Sequence, residues 1–358
     1  MSDNQTTVLL RISSEIWRGS IPIELTISEI DLSTSTAPSP CFLFLPRMSY
    51  LGVVAADAVD YLKSYAIDIA SDVWFESLGV PLKWFVFNIF KSISARYASC
   101  NHADLLIYDL YFLFCASLFS NMPIGVLFDL HCSQKSSEPW RITVHFRDFP
   151  VETLLKCCSR EAAEKMYMHT LKQALFVLQG NTRSFNAMIP EQQQLIWEGA
   201  NSGSRAQFEG VAADLRGGEA VKCVPVRILL RQRKKIIPRE HDSGKVFAPK
   251  NPFNRVDSSV AKEAILTNNE SNITCIQKPV HTHVSERDNQ VTLLSDVLFK
   301  RMAGLFTTSP TGVLLLPDSV SVCVQGIKVP FNTPILQLWT TCSHADFFLY
   351  IIVIVDIT

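Results

Sequence analysis

The feature that most constrains the fold is a change of hydrophobic period along the chain. Apolar and polar residues alternate towards both ends, as in IPIELTI (21–27) and VSVCVQGIKV (320–329), whereas residues 160–215 follow helical spacing. A period of two is typical of a strand with one buried face, and recurrence after three and four residues is typical of an amphipathic helix. The pattern therefore predicts a helical module between two units that contain β-sheets.

The first unit opens with two strand patterns, at 21–27 and CFLFLP (41–46). A Ser/Thr/Pro-rich turn joins them, which favours a hairpin. Helical spacing follows from Val53 to Tyr65. Three further strand candidates come next: VWFESLG (73–79), GVLFDLHC (125–132) and RITVHFRDF (141–149). Hairpin, helix and further strands in this order predict a β-grasp topology.

The middle module contains the longest predicted helix. Ser159 can cap its start, and Gly180 ends it. Its apolar residues share one face: Ala163, Tyr167, Leu171, Leu175 and Leu178. Lys165, Lys172 and Gln179, seven residues apart, form a polar stripe off that face, so we expect the Lys172 ammonium to lie in solvent.

Two shorter helices, from Pro190 and over 204–215, precede a strand pattern at 221–232. Residues 233–290 are polar and lack sustained periodicity, which predicts a loop or disordered insert in which fragments of strand can occur. The closing segments read as helix, strand, short helix and strand: 292–302, 320–329, 334–342 and 347–355. The predicted fold class is therefore α+β, with two β-grasp domains flanking a helix-rich domain.

Composition narrows the functional class. Hydrophobic residues make up 47% of the 358 residues, enough for buried cores, and 33 basic against 34 acidic side chains argue against a globally basic nucleic-acid binder. Ten cysteines without a C-x-x-C pair indicate neither a zinc ribbon nor a redox pair, and are typical of a reducing compartment. The N-terminal residues do not resemble a secretory signal, so we expect a cytoplasmic protein.

One apolar stretch, residues 105–120, raises an alternative. It holds 16 residues interrupted by Asp109. A bilayer span needs about 20 apolar residues, and a central Asp costs roughly 2.5–3.5 kcal/mol. A single-span membrane protein anchored by 105–120 is therefore the less favoured interpretation.

Motifs for catalysis or cofactor binding are scarce. The chain has no Walker loop, no G-x-S-x-G elbow, no G-x-G-x-x-G and no H-E-x-x-H. Three weaker candidates are a cysteine pair, a basic cluster and a histidine pair: Cys157-Cys158; Arg231, Arg233, Lys234 and Lys235; His281 and His283. We favour a structural role for the cysteine pair and a solvated strand end for the basic cluster. For the histidine pair we favour a solvated loop. We therefore expect no catalytic residue, no metal and no cofactor.

Several local strings point together to one family. In chain order they are W-x-G-x-I-P (17–22), LPRMSYL (45–51), VWFESLGVPLKW (73–84), PIGVLFDL (123–130), PWRITVHFRDFP (139–150) and VPVRILL (224–230). This series resembles the autophagy protein 5 family, over residues 16–84, 122–232 and 318–355. Several motifs in the right order are more specific than any one of them.

The resemblance implies two ubiquitin-like domains around a helix-rich domain. The predicted boundaries are 1–20 for an N-terminal helix or lead-in, 21–150 for the first ubiquitin-like domain, 155–218 for the helix-rich domain and 220–358 for the second ubiquitin-like domain. The resemblance also implies that the protein is a scaffold joined by an isopeptide bond to autophagy protein 12. The conjugate binds the N-terminal helix of autophagy protein 16 and promotes transfer of autophagy protein 8 from its E2-like enzyme to phosphatidylethanolamine.

The implied protein is an E3-like subunit without its own active site. It is cytoplasmic, makes peripheral contact with preautophagosomal membranes and binds no nucleic acid. The acceptor motif of the family is an aromatic residue, two or three residues, a large apolar residue, Lys, Glu or Gln, and Ala. YMHTLKQA (167–174) matches it and places the isopeptide acceptor at Lys172.

One departure from the family lies between Trp84 and Pro123. Residues 85–121 form an atypical insertion that would interrupt two neighbouring strands of the first domain. We favour a translated, unspliced intron over a genuine membrane insert, so a non-functional gene-model variant of the scaffold is a second alternative. Residues 233–317 also depart from the family pattern.

Overall fold

The computed structural model describes most of the chain outside two long internal stretches, 83–121 and 235–272. The described residues are 3–67, 72–82, 122–132, 138–152, 154, 159–216, 220–234, 273–285, 290–308 and 314–357. The predicted insertion at 85–121, with its apolar stretch at 105–120, lies outside them.

The first unit combines one sheet with several helices. Its elements are α1 (Asp3–Arg18), β1 (Ser20–Ile27), β2 (Cys41–Pro46), α2 (Leu51–Val54), α3 (Ala56–Lys63), β3 (Trp74–Ser77), β4 (Val80–Pro81), α4 (Ile124–His131) and β5 (Trp140–His145). The strand order is β2-β1-β5-β3-β4. β1 pairs antiparallel with β2 and parallel with β5, so the first and last strands lie side by side at the centre. This arrangement confirms the predicted β-grasp topology.

The alternation in β1 builds the core of this unit. Ile21, Ile23, Leu25 and Ile27 are all buried, while the residues between them are half-exposed. Full burial of such side chains stabilises the fold by about 1.5–3 kcal/mol each. The predicted strand therefore packs on the face that its sequence pattern indicates.

The prediction of a strand at 125–132 is wrong, because this segment forms helix α4. Six of its eight residues are buried, and Asp129 is the one charged residue among those six. A short apolar run does not distinguish a buried strand from a buried helix. The N–H of Gly125 donates to the carbonyl of Arg47 at 2.9 Å, and a Cβ on Gly125 would lie 2.9 Å from that oxygen. The helix therefore lies directly against the loop after β2.

The middle module consists of helices, as predicted. They are α5 (Arg160–Gln179), α6 (Arg183–Asn186), α7 (Pro190–Ser202) and α8 (Arg205–Arg216). Ser159 caps α5, with its Oγ accepting a hydrogen bond from the N–H of Ala162 at 3.1 Å. Gly180 ends the helix with φ at 69°, a left-handed conformation that glycine adopts without a steric penalty.

The second unit contains another sheet of the same kind. Its elements are β6 (Cys223–Lys234), β7 (Ile273–His281), β8 (His283–Ser285), β9 (Gln290–Val291), α9 (Leu294–Met302), β10 (Thr307–Thr308), β11 (Leu314–Leu315), β12 (Val320–Cys323), α10 (Ile335–Cys342) and β13 (Leu349–Ile357). The main sheet has the order β12-β13-β6-β7, with β13 parallel to β6. The first and last strands again lie side by side, so the predicted fold class is confirmed.

Two predictions for this unit need correction. Residues 273–281 lie in the segment predicted to be a loop or disordered insert in which fragments of strand can occur, and they form the nine-residue strand β7, which pairs antiparallel with β6 along the whole length of β7. β7 lies at one edge of the main sheet, and its burial pattern is mixed, with four exposed, three half-buried and two buried residues, so its sequence lacks regular alternation. The strand predicted at 320–329 ends at Cys323, because Gln325 and Gly326 adopt positive φ angles of 53° and 72° and reverse the chain.

Candidate functional site

The candidate acceptor, Lys172, lies in the third turn from the C-terminal end of α5. The apolar residues predicted to share one face are buried, except that Leu178 is half-buried. Lys172 lies off this face, on a helix whose two ends are both capped. Its backbone therefore lies within a regular helix, away from the buried face of α5.

The environment of Lys172 differs from the expectation that its ammonium lies in open solvent. Lys165 is exposed, but Lys172 and Gln179 are half-buried. The Nζ atom of Lys172 lies 5.5 Å from the centre of the Phe185 ring, and the Gln179 amide donates to the carbonyl of Leu215 at 2.5 Å. The predicted polar stripe is thus partly covered, because α6 and α8 pack beside α5.

Buried aromatic side chains fix α5 relative to both sheet-containing units. The Tyr167 hydroxyl donates to the carbonyl of Ala345 at 3.0 Å, in the segment between α10 and β13. The Trp197 ring, from α7, lies 5.2 Å from Tyr167 and stacks 5.7 Å from Tyr50 of the first unit. Because these rings are buried, the surface that carries Lys172 has a fixed orientation in the molecule.

A second candidate site is a groove of about 540 Å³ between α1 and the two β-grasp units. It is lined by Val8, Arg11, Ile12, Glu15, Ile16, Gly19, Arg47, Gln325 and Ile327. Val8 is 55% exposed, Ile12 42% and Ile327 48%, so apolar side chains reach solvent along it. The charged residues Arg11, Glu15 and Arg47 lie beside this apolar strip. We name this surface the α1 groove.

The floor of the α1 groove contains a buried charge pair. Arg47 donates hydrogen bonds to the carboxylate of Asp129 and, at 3.3 Å, to the carbonyl of Gly125. Burial raises the pKa of Asp129, and the Arg47 guanidinium opposes that rise. The Asp129 carboxylate also approaches Gly326 of the second unit, where a Cβ would lie 3.1 Å from its Oδ1. Arg47 and Asp129 therefore connect the two β-grasp units beneath the groove.

Sequence reasoning identified the strings around these groove residues but not the groove itself. Arg47 lies within LPRMSYL and Gly19 within W-x-G-x-I-P. The apolar residues of α1 at positions 8, 12 and 16 follow helical spacing. This spacing was the one sequence signal that could have indicated an apolar helix face at the groove. The contribution of Gln325 and Ile327 depends on a contact between distant parts of the chain.

The described cysteines do not support an enzyme that uses a cysteine nucleophile. Cys157 and Cys158 lie outside them. The six described cysteines are free, and all have raised pKa values: Cys41, Cys132, Cys223, Cys275, Cys323 and Cys342. Burial raises the pKa of Cys132 and Cys323 to about 12 and that of Cys275 to about 11. A nucleophilic cysteine requires a lowered pKa, so these thiols are not activated.

The histidine pair lies at the ends of adjoining strands instead of in a loop. The Nδ1 atom of His281 lies 3.2 Å from Cys223 Sγ, and His283 Nδ1 lies 3.1 Å from Thr282 Oγ1. Among the described residues, no group of three or more His, Cys, Asp or Glu side chains is arranged to hold a metal ion.

The basic cluster makes contacts within the fold. Arg231 donates to the carbonyl of Leu130, and Arg233 forms an ion pair with Asp356 at 2.7 Å. Lys235 lies outside the described residues. The strand end that we predicted to be solvated therefore contacts α4 through Arg231 and β13 through Arg233.

No helix in the described ranges has both the length and the apolar character needed to cross a membrane. The stretch at 105–120 is not among those ranges.

Three models of known protein domains match the chain in sequence order. Residues 16–146 match "Autophagy protein ATG5, UblA domain", residues 160–217 match "Autophagy protein ATG5, alpha-helical bundle region", and residues 223–353 match "Autophagy protein ATG5, UblB domain". Together these matches cover most of the chain.

Curated relatives named "Autophagy protein 5" occur in plants and fungi. The Arabidopsis thaliana protein is 22% identical over 363 aligned residues, covering 95% of this chain and 96% of the relative. The Neosartorya fischeri protein is 26% identical, with coverages of 98% and 97%. The Oryza sativa subsp. indica protein is 27% identical over 203 residues, and this chain spans only 44% of its length.

A solved structure has the same fold. The crystal structure of Kluyveromyces marxianus Atg5 matches with a TM-score of 0.61 and 19% identity, covering 96% of this chain and 99% of that one. At this identity the likeness shows the fold alone.

Proposed function

The chain belongs to the autophagy protein 5 family, and from this premise we propose that it is the acceptor and scaffold subunit of an autophagy conjugate. Lys172 forms an isopeptide bond with the C-terminal glycine of autophagy protein 12. The conjugate binds autophagy protein 16 and promotes transfer of autophagy protein 8 from its E2-like enzyme to phosphatidylethanolamine. The chain itself is an E3-like subunit without its own active site, cytoplasmic and peripheral on preautophagosomal membranes.

The observation that carries this proposal is the position of Lys172 on α5. The lysine combines the family motif with a place on a capped, well-packed helix at the surface of the helical module. An amine attacks a thioester only when it lies about 3–3.5 Å from the carbonyl carbon, so a rigid helix that fixes the direction of approach favours one lysine over its neighbours. Lys165 lies two turns away, about 10 Å along the axis at 1.5 Å per residue, too far to substitute.

The test replaces the acceptor without changing its charge. Lys172→Arg keeps the positive charge and much of the aliphatic stem but removes the nucleophilic amine, so the fold should survive. On a denaturing gel after reaction with autophagy protein 12 and its conjugating enzymes, the wild type should give a heavier conjugate and Lys172→Arg only the free chain. Lys165→Arg is the matched control and should form conjugate normally. A conjugate that persists in Lys172→Arg would refute the assignment.

We place the autophagy protein 16 helix in the α1 groove. An amphipathic helix binds by laying its apolar face into an apolar groove, and the strip of Val8, Ile12 and Ile327 offers such a surface. Arg11, Glu15 and Arg47 beside the strip can pair with charges on the polar face of the bound helix.

This placement is tested with two matched substitutions of exposed isoleucines. Ile327→Lys puts a charge inside the groove, and Ile30→Lys puts the same charge at a position that is 63% exposed and does not line the groove. Burying an unpaired ammonium is costly, so Ile327→Lys should weaken binding of the autophagy protein 16 helix at least about tenfold, while Ile30→Lys should leave it unchanged. Equal affinities of the two variants in calorimetry would exclude the groove.

The scaffold role and the membrane association are tested separately. Purified conjugate added to vesicles that contain phosphatidylethanolamine should accelerate lipidation of autophagy protein 8 by its E2-like enzyme, while unconjugated chain should not. Carbonate extraction of cell membranes should release the chain. Retention in the carbonate pellet would favour the single-span alternative instead.

A further inference from the structure

The segment that follows α5 places the aromatic ring of Phe185 beside the candidate acceptor, Lys172. Phe185 belongs to α6, thirteen positions after Lys172, and its ring centre lies 5.5 Å from the lysine Nζ. Both side chains are half-buried. Lys165, on the same side of α5, is exposed and has no such ring contact among the aromatic contacts of the described residues. The two lysines of the polar stripe therefore differ in a specific contact.

Local hydrogen bonds hold the ring in this position. After Gly180 reverses the chain, the N–H of Arg183 donates to Asn181 Oδ1 at 3.0 Å and starts α6. The Ser184 hydroxyl donates to Gln179 Oε1 at 2.7 Å, which ties α6 to the end of α5. The amide of Gln179 is itself held by its hydrogen bond to Leu215. Phe185 is therefore placed by several specific contacts and not by general hydrophobic packing alone.

A cation within about 6 Å of a ring centre is attracted to the face of the ring. A lysine side chain otherwise samples many rotamers, most of which point its amine away from any one direction of attack. A ring beside the amine reduces this sampling before the donor arrives, and such prior ordering accelerates a bimolecular transfer.

We propose that Phe185 is a positioning residue for isopeptide transfer to Lys172, an inference that rests on the proposed acceptor function. The ring holds the aliphatic stem and the ammonium while the donor thioester docks. The ammonium then loses one proton to a base, and its nitrogen attacks the thioester carbonyl carbon. The new C–N bond forms, the C–S bond breaks, and the second proton leaves with the cysteine sulfur as a thiol.

The kinetic test compares variants in single-turnover transfer from a preformed autophagy protein 12 thioester. Phe185→Leu keeps an apolar side chain but removes the ring, whereas Phe185→Tyr keeps the ring. The maximal transfer rate of Phe185→Leu should fall about two- to fivefold. Loss of an exposed cation–π contact lowers the population of the ordered lysine rotamer by about that factor. The concentration of chain that gives half-maximal rate should not change, and Phe185→Tyr should transfer at the wild-type rate.

An NMR measurement on the unmodified chain tests the contact without any substitution. The ring current of Phe185 should shift the ε-methylene protons of Lys172 upfield relative to those of Lys165. Lysine shifts that are equal in wild type would overturn the proposal, as would a wild-type rate for Phe185→Leu or an equally slow rate for Phe185→Tyr. A conjugate that still forms in Lys172→Arg refutes the acceptor function itself, so the two failures are distinguishable.

Discussion

Mild acid should destabilise this protein through one buried histidine. His344 lies between α10 and β13, is 3% exposed, and packs edge-on against the Tyr350 ring with centres 5.0 Å apart. Its Nδ1 atom is buried without a hydrogen-bond partner. Burial, aided by the nearby Arg47 guanidinium, lowers the pKa of His344 from 6.5 to about 3. The folded protein therefore keeps this ring neutral at any pH near the physiological range.

The sign of the effect follows from proton binding. Between pH 6.5 and pH 3 the unfolded chain carries a proton on His344 and the folded chain does not, so the free energy of unfolding falls as the pH falls through this window. The contribution of His344 is fully present above pH 6.5. At about 1.4 kcal/mol per pH unit, lowering the pH from 7 to 5 should remove about 2 kcal/mol.

The assay is urea unfolding of wild type and His344→Leu at pH 7 and pH 5. The loss of stability between the two pH values should be about 2 kcal/mol smaller in His344→Leu, since leucine has no proton to bind. The carboxyl groups titrate in both chains, so their contributions to the pH dependence of stability cancel in the comparison. They include Asp129 and Asp346, whose pKa values are raised by burial. His283→Gln, at a less buried position, serves as control. An equal pH dependence of wild type and His344→Leu would refute the reasoning.

Two further predictions concern packing and the origin of the insertion. Gly199→Ala should lower the free energy of unfolding by about 1–3 kcal/mol, because its Cβ would lie 2.8 Å from the backbone nitrogen of Phe208 and would push α7 from α8. Gly210→Ala, with nothing within 4 Å of the added carbon, should instead stabilise α8 by up to about 1 kcal/mol, and a denaturation series on both variants that showed equal changes would contradict this account. Sequencing the transcript between the codons for Trp84 and Pro123 should show a spliced message that joins them, and transcripts that always retain the segment would disprove the intron hypothesis.

The sequence alone determined those features that depend on local pattern. The alternation of β1 predicted its buried face, and Ser159 and Gly180 predicted both ends of α5, because capping and periodicity are decided by residues close together in the chain. The family motif singled out Lys172 for the same reason. The order of strands and helices was enough to predict two β-grasp units around a helical module.

The tertiary structure decided the features that depend on neighbours distant in sequence. Residues 124–131 are a helix and 273–281 a strand because of what packs beside them, and neither apolar content nor polarity alone distinguishes these outcomes. The α1 groove needs Arg47 and Ile327 to meet across the two units, and the partial burial of Lys172 depends on the return of α6. Such contacts join segments whose separation along the chain is unrelated to their distance in space, so no local pattern records them.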